Sequence, residues 1–104
     1  MLLVTSNEIT GKTVKETLDL VEGAVVQSKH IGKDIMAGFK TIVGGELKGY
    51  TEMMADARRI ANERMVKEAE NLGADAIIGI RYTSSDISQA AAEMLVYGTA
   101  VKLK

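Results

Sequence analysis

The stretch Leu72-Gly73-Ala74-Asp75-Ala76-Ile77-Ile78-Gly79-Ile80-Arg81 is where the chain changes its periodicity, and its reading decides the fold. Upstream, Met54, Ala57, Ala61, Met65 and Leu72 fall on one stripe of a helix. Thr51 has a hydroxyl that can cap the free amides at the start of that helix, and Glu52 lies near the positive end of its dipole. Glu63 and Lys67, one turn apart, can pair on its wet side. Gly73 ends it, because glycine accepts the positive φ that helix termini adopt. From Ala76 to Arg81 the chain is short, apolar and β-branched, as in a strand covered on at least one face.

Working outward, Ile31, Ile35, Phe39 and Ile42 recur at helical spacing, which predicts an earlier helix stopped by Gly44 and Gly45. Leu2, Leu3 and Val4 suit an edge-length strand, and the polar Thr5 to Glu8 suits a turn after it. Leu18, Leu20, Ala24, Val25 and Val26 make a second extended stretch, which Gly23 interrupts as a bulge or a close backbone approach would. Leu95, Tyr97, Thr99, Val101 and Leu103 alternate with their neighbours to give the last strand. Between the last two strands, Thr83 to Ala92 is polar and small and reads as a hairpin loop.

The predicted order ββααββ is α+β: one domain over 1–104, with two helices on one face of a small, mainly antiparallel sheet. Such a sheet has open edges, and the chain contains no proline to blunt them. Pairing between subunits would cover them, so the chain is expected to self-associate.

Composition excludes several classes of function. With 46% hydrophobic and 26% charged residues among 104, the chain has the makeup of a folded globular domain. Its 13 basic and 14 acidic residues are scattered and leave a net charge of -1, so no basic field exists to hold nucleic acid. Met1 to Val4 is too short for a signal peptide or membrane span, which suggests a cytosolic protein with no membrane partner. The absence of cysteine removes disulfides, thiolate metal sites and cysteine nucleophiles together.

The segment Val43-Gly44-Gly45-Glu46-Leu47-Lys48-Gly49-Tyr50-Thr51-Glu52 resembles the signature of the YbjQ family. The likeness extends to Gly32-Lys33-Asp34-Ile35, Ala57-Arg58, Leu72 to Gly79 and Tyr97-Gly98-Thr99-Ala100-Val101, and so covers nearly the whole chain. The resemblance implies a sheet with helices on one side, assembled as a homopentamer, and a function that is uncharacterised. The family also carries a heavy-metal-binding label. Soft metals prefer thiolate or imidazole, and this chain offers no cysteine and a single histidine, His30.

Candidate sites are few. Gly44, Gly45 and Gly49, with Lys48 adjacent, could form an anion-binding turn at the start of the long helix, or simply a permissive connector between two helices. Glu46, Lys48 and Tyr50 place an acid, an amine and a phenol on that connector, and Glu46 and Glu52 flank it. His30 and Asp34 could share a helix face as metal ligands, yet one subunit would still fall short of a closed zinc site. The six methionines fit core packing better than copper ligation. Gly11-Lys12-Thr13 imitates the end of a P-loop without the glycine required five positions earlier, where Ser6 stands. Ser84, Ser85 and Asp86 lack the strand–turn–helix context of a hydrolase nucleophile and read as turn residues. The family resemblance, the open sheet edges and the Gly-rich connector together suggest a non-enzymatic homo-oligomeric ring that binds a small ligand, anion or metal at subunit boundaries. The alternative is a structural or adaptor subunit. No catalytic residue, metal site or cofactor is assigned.

Overall fold

The computed structural model describes residues 1–28, 42–43 and 46–104. Its elements are β1 (Leu2–Leu3), β2 (Val14–Ser28), β3 (Ile42–Val43), β4 (Glu46–Leu47), α1 (Lys48–Asn71), β5 (Ala76–Ser88) and β6 (Ala91–Leu103). Four strands form one sheet in the order β1-β5-β6-β2, and β3 and β4 form a separate antiparallel pair. Strand β6 is antiparallel to both β5 and β2, whereas β1 runs parallel to β5. The fold is therefore α+β with a mixed sheet. Among the described residues there is one helix and not two. The expected first helix, from Ile31 onward, lies outside the described residues except for its last apolar position, Ile42, which is in β3.

Helix α1 meets the sheet through Met53, Ala57, Ala61, Met65 and Ala69, all buried and four residues apart. A four-residue step overshoots one turn by about 40°. The buried stripe therefore winds slowly around the helix, as contact with a twisted sheet requires. Leu72, expected on this stripe, is exposed, and the buried positions include Met53 and Ala69 instead. The sheet contributes Val21 and Val25 from β2, Ile77 and Ile80 from β5, and Met94, Val96 and Ala100 from β6. Two glycines let these layers close. A Cβ on Gly23 would overlap the Ala61 carbonyl oxygen, so Gly23 marks a close approach, and its pairing with Val96 continues the ladder without a bulge. A Cβ on Gly98 would lie 2.7 Å from Ile77 Cγ2 and 3.1 Å from Ile80 Cγ1.

Gly73 ends the helix as expected, with φ of 77°. Its amide donates to the Glu70 carbonyl at 2.9 Å and the Ala74 amide donates to that of Ala69 at 3.1 Å, the paired bonds of a Schellman motif. The start differs from expectation: α1 begins at Lys48, so Thr51 lies inside its first turn and is not its cap. Glu63 pairs with Arg59 at 3.0 Å, and Arg59 also approaches Asp56.

The expected hairpin loop from Thr83 to Ala92 is a correction. Strand β5 continues to Ser88, and only Gln89 and Ala90 turn the chain, with Ser88 Oγ accepting the Ala90 amide at 3.1 Å. Residues Arg81 to Ser88 are all exposed, so no apolar alternation could mark them as strand. Strand β2 likewise runs further than its apolar residues indicate, through the exposed Val14 to Thr17. The result is a long ribbon. The radius of gyration is 16.6 Å, against about 13 Å for a compact chain of this length.

Candidate functional site

The ribbon and the helix diverge at one end and leave a cleft between them. Tyr50, Met54 and Arg58 are four residues apart on α1 and present one helical face to it. Ser84, Ser85 and Asp86 of β5 form the opposite wall, and Ala92 and Met94 of β6 lie at its base. The cleft is open to solvent and has a volume of about 380 Å³, within the range of small-molecule sites. Ser84 and Asp86 pair with the buried Met94 and Ala92, which fixes them on the helix side of the sheet. Farther along the ribbon, Tyr82 Oη donates to Asn62 Oδ1 at 3.0 Å and ties β5 to α1.

The polar groups of the cleft differ in their engagement. Tyr50 and Asp86 each have an interaction of their own. Arg58 has no hydrogen bond or ion pair among the described residues, and the helix offers it no counter-ion. One turn away in either direction stand Met54, Ala55, Ala61 and Asn62, whereas Arg59 has Asp56 and Glu63. A second depression, lined by Arg59, Asn62, Glu63, Val66, Lys67 and Glu70, lies along a single helix face and gathers no opposing wall.

Of the candidate ligand-binding residues on the connector, Tyr50 lines this cleft, and Ser84, Ser85 and Asp86 of the expected turn form its far wall. Gly44 and Gly45 lie outside the described residues, as do His30 and Asp34. Glu46 pairs in β4 with Val43, while Lys48 and Gly49 open α1 directly, so β4 runs straight into the helix. Gly11-Lys12-Thr13 is a turn followed by β2, which is not the helix of a phosphate-binding loop. Arg58 was missed as a site residue because one exposed arginine on a helix carries no pattern. Ser84, Ser85 and Asp86, turn residues by their composition, lie in β5 and pair with β6.

No group of three His, Cys, Asp or Glu side chains among the described residues could hold a metal ion. Met53, Met65 and Met94 are buried in apolar packing. Among the described residues no helix is long and apolar enough to cross a membrane.

Comparison with known proteins gives a consistent family. The family model YbjQ_1, described as "Putative heavy-metal-binding", matches residues 1–104. A UPF0145 protein of Thermotoga petrophila is 62% identical over 104 residues, covering 100% of this chain and 98% of that one. Another from Photobacterium profundum is 58% identical over 103 residues, covering 99% and 100%. A crystal structure from Pediococcus pentosaceus, of a protein with unknown function in the DUF74 family, superposes with a TM-score of 0.68. At 19% identity over 100% of this chain and 98% of that one, it is similar in fold. With a match over every residue and relatives this similar along their whole length, the chain belongs to the YbjQ family, whose members are also named UPF0145.

Proposed function

We propose that this chain is the subunit of a cytosolic homo-oligomeric ring, five-membered as the family resemblance implies, which binds a small ligand in clefts at its subunit boundaries. The observation that carries the reading is the surface left uncovered on an elongated subunit. On the side of the sheet away from α1, Leu20 is 61% exposed and Val26 55%, and Tyr97 is exposed beside them. Among the described residues, no strand pairs with the outer side of β2 or with the outer side of β5 from Arg81 to Ser88. Open, flat edges of this kind are ordinarily paired or blunted, and heterologous pairing around a closed ring covers both at once.

The cleft fits the same reading. Its wall residues Ser84, Ser85 and Asp86 belong to the uncovered part of β5, so a neighbour adding a strand there would stand next to the cleft. Its content of hydroxyl, phenol, carboxylate and guanidinium groups suits binding of a small polar ligand.

Native mass spectrometry of untagged protein, prepared without chelator, tests the proposal. The expected result is a five-subunit mass with reproducible added mass. A bare pentamer favours a structural or adaptor subunit with no ligand chemistry. A monomer at working concentration overturns the ring.

A further inference from the structure

We infer that the cleft between α1 and the β5–β6 ribbon is a binding site for a small 2-hydroxy or 2-amino carboxylic acid, with the carboxylate held by Arg58. The inference rests on the ligand-binding part of the proposed function and names the ligand class. Three features carry it together. Arg58 lines the cleft with no partner among the described residues, and the planar guanidinium matches a carboxylate through two parallel N–H···O bonds. Ser84, on the helix side of β5, adds a hydroxyl donor on the facing wall. Met54, Met94 and Ala92 supply an apolar base that suits a short carbon chain.

Asp86 narrows the class. A carboxylate in the same wall disfavours a multiply charged anion and, beyond the interaction it already has, keeps acceptor positions for a hydroxyl or ammonium group. An acid bearing such a group next to its carboxylate presents both chemistries within one small molecule. Inorganic phosphate offers the guanidinium an equivalent pair of oxygens but gains nothing from Asp86 or from the apolar base.

The methionines provide the test. In full-length protein labelled at the methionine methyls with carbon-13, Met54 and Met94 report on the cleft and the fully buried Met65 reports on the core. L-lactate, L-serine, inorganic phosphate and isobutanol are titrated at constant ionic strength. Lactate or serine is expected to shift the Met54 and Met94 signals saturably and leave Met65 unmoved. Arg58→Gln is expected to weaken that binding about tenfold or more, the usual consequence of removing a charged hydrogen-bonding partner, with Arg58→Lys intermediate. Saturation by phosphate alone, or equally by isobutanol, overturns the assignment, as does an absence of shifts in protein whose Met65 signal is native. Undiminished binding in Arg58→Gln overturns the role of Arg58. The assembly mass of the same sample scores the ring separately: a monomer that shows the shifts removes only the ring, and a pentamer without them removes only this site.

Discussion

Gly23 of β2 lies directly under Ala61 of α1, so close that a Cβ at position 23 would overlap the Ala61 carbonyl oxygen and stand 2.7 Å from the Met65 amide nitrogen. Both obstructing groups are main chain in the middle of a 24-residue helix and cannot swing aside as a side chain would. Helix and strand would have to separate. Gly23→Ala is therefore expected to destabilise by about 3 kcal/mol, the upper end of ordinary overpacking costs. Thermal unfolding followed by circular dichroism should show a midpoint lower by roughly 10 °C or more. Gly11→Ala makes the contrast. Nothing stands within 4 Å of that position, and its φ of 76° alone penalises a side chain, by about 1 kcal/mol. Equal losses for the two variants would contradict the close approach.

Met65 is fully buried and is the largest side chain so enclosed on the stripe that α1 lays on the sheet. Truncation there leaves a cavity between helix and strands that the small neighbours Ala61 and Ala69 cannot fill. Met65→Ala should cost about 2–5 kcal/mol. Met54, half-buried beside the cleft, should lose distinctly less on the same change, since solvent can enter the space. Chemical denaturation of both variants decides this, and a larger loss at Met54 would mean that the core is centred elsewhere.

These positions also show what was legible in the sequence. The helix stripe, its glycine stop and the strand after it could be read because burial on one face writes a period into the residues. Gly23 could be flagged but not resolved, since a bulge and a close approach leave the same single glycine. The distal ribbon was invisible. Arg81 to Ser88 is exposed on both faces, and its hydrogen bonds to β6, made by main chain, leave no trace in side-chain pattern. The cleft was hidden for the same reason, because one of its walls is that ribbon. Thr51 resembled a cap, yet the helix continues back to Lys48 from the β3–β4 pair, a tertiary arrangement that local propensity does not encode.

The ribbon is joined to α1 by the 3.0 Å hydrogen bond from Tyr82 Oη to Asn62 Oδ1. The bond is exposed, so Tyr82→Phe should lower global stability by only about 0.5–1 kcal/mol. Its local effect should be larger. Residues Ser84 to Ser88 depend on β6 and this tie for their position, and their amides should exchange with solvent faster in the variant, while those of Ile77 and Ile80 in the core keep their protection. Unchanged exchange across Ser84 to Ser88 would show that β6 alone positions the ribbon.

Leu20 and Val26 point away from α1, on the same side of β2 as Glu22 and Ala24 and opposite to the buried Val21, Gly23 and Val25. Within one chain neither packs into the core, so replacing both with lysine should change the stability of the isolated subunit by less than about 1 kcal/mol. In a ring assembled through this face, the same change would bury two ammonium groups per subunit, an arrangement too costly to keep without partners. Leu20→Lys/Val26→Lys should therefore lower the assembly mass to that of a monomer and leave the circular dichroism spectrum native. Glu68→Lys, on the exposed side of α1, alters charge without touching the sheet and should leave the assembly intact. An assembly that survives the double lysine change would move the subunit contacts off this face and onto the open edges of β2 and β5. There, alternate side chains can stay in solvent while the main chains pair.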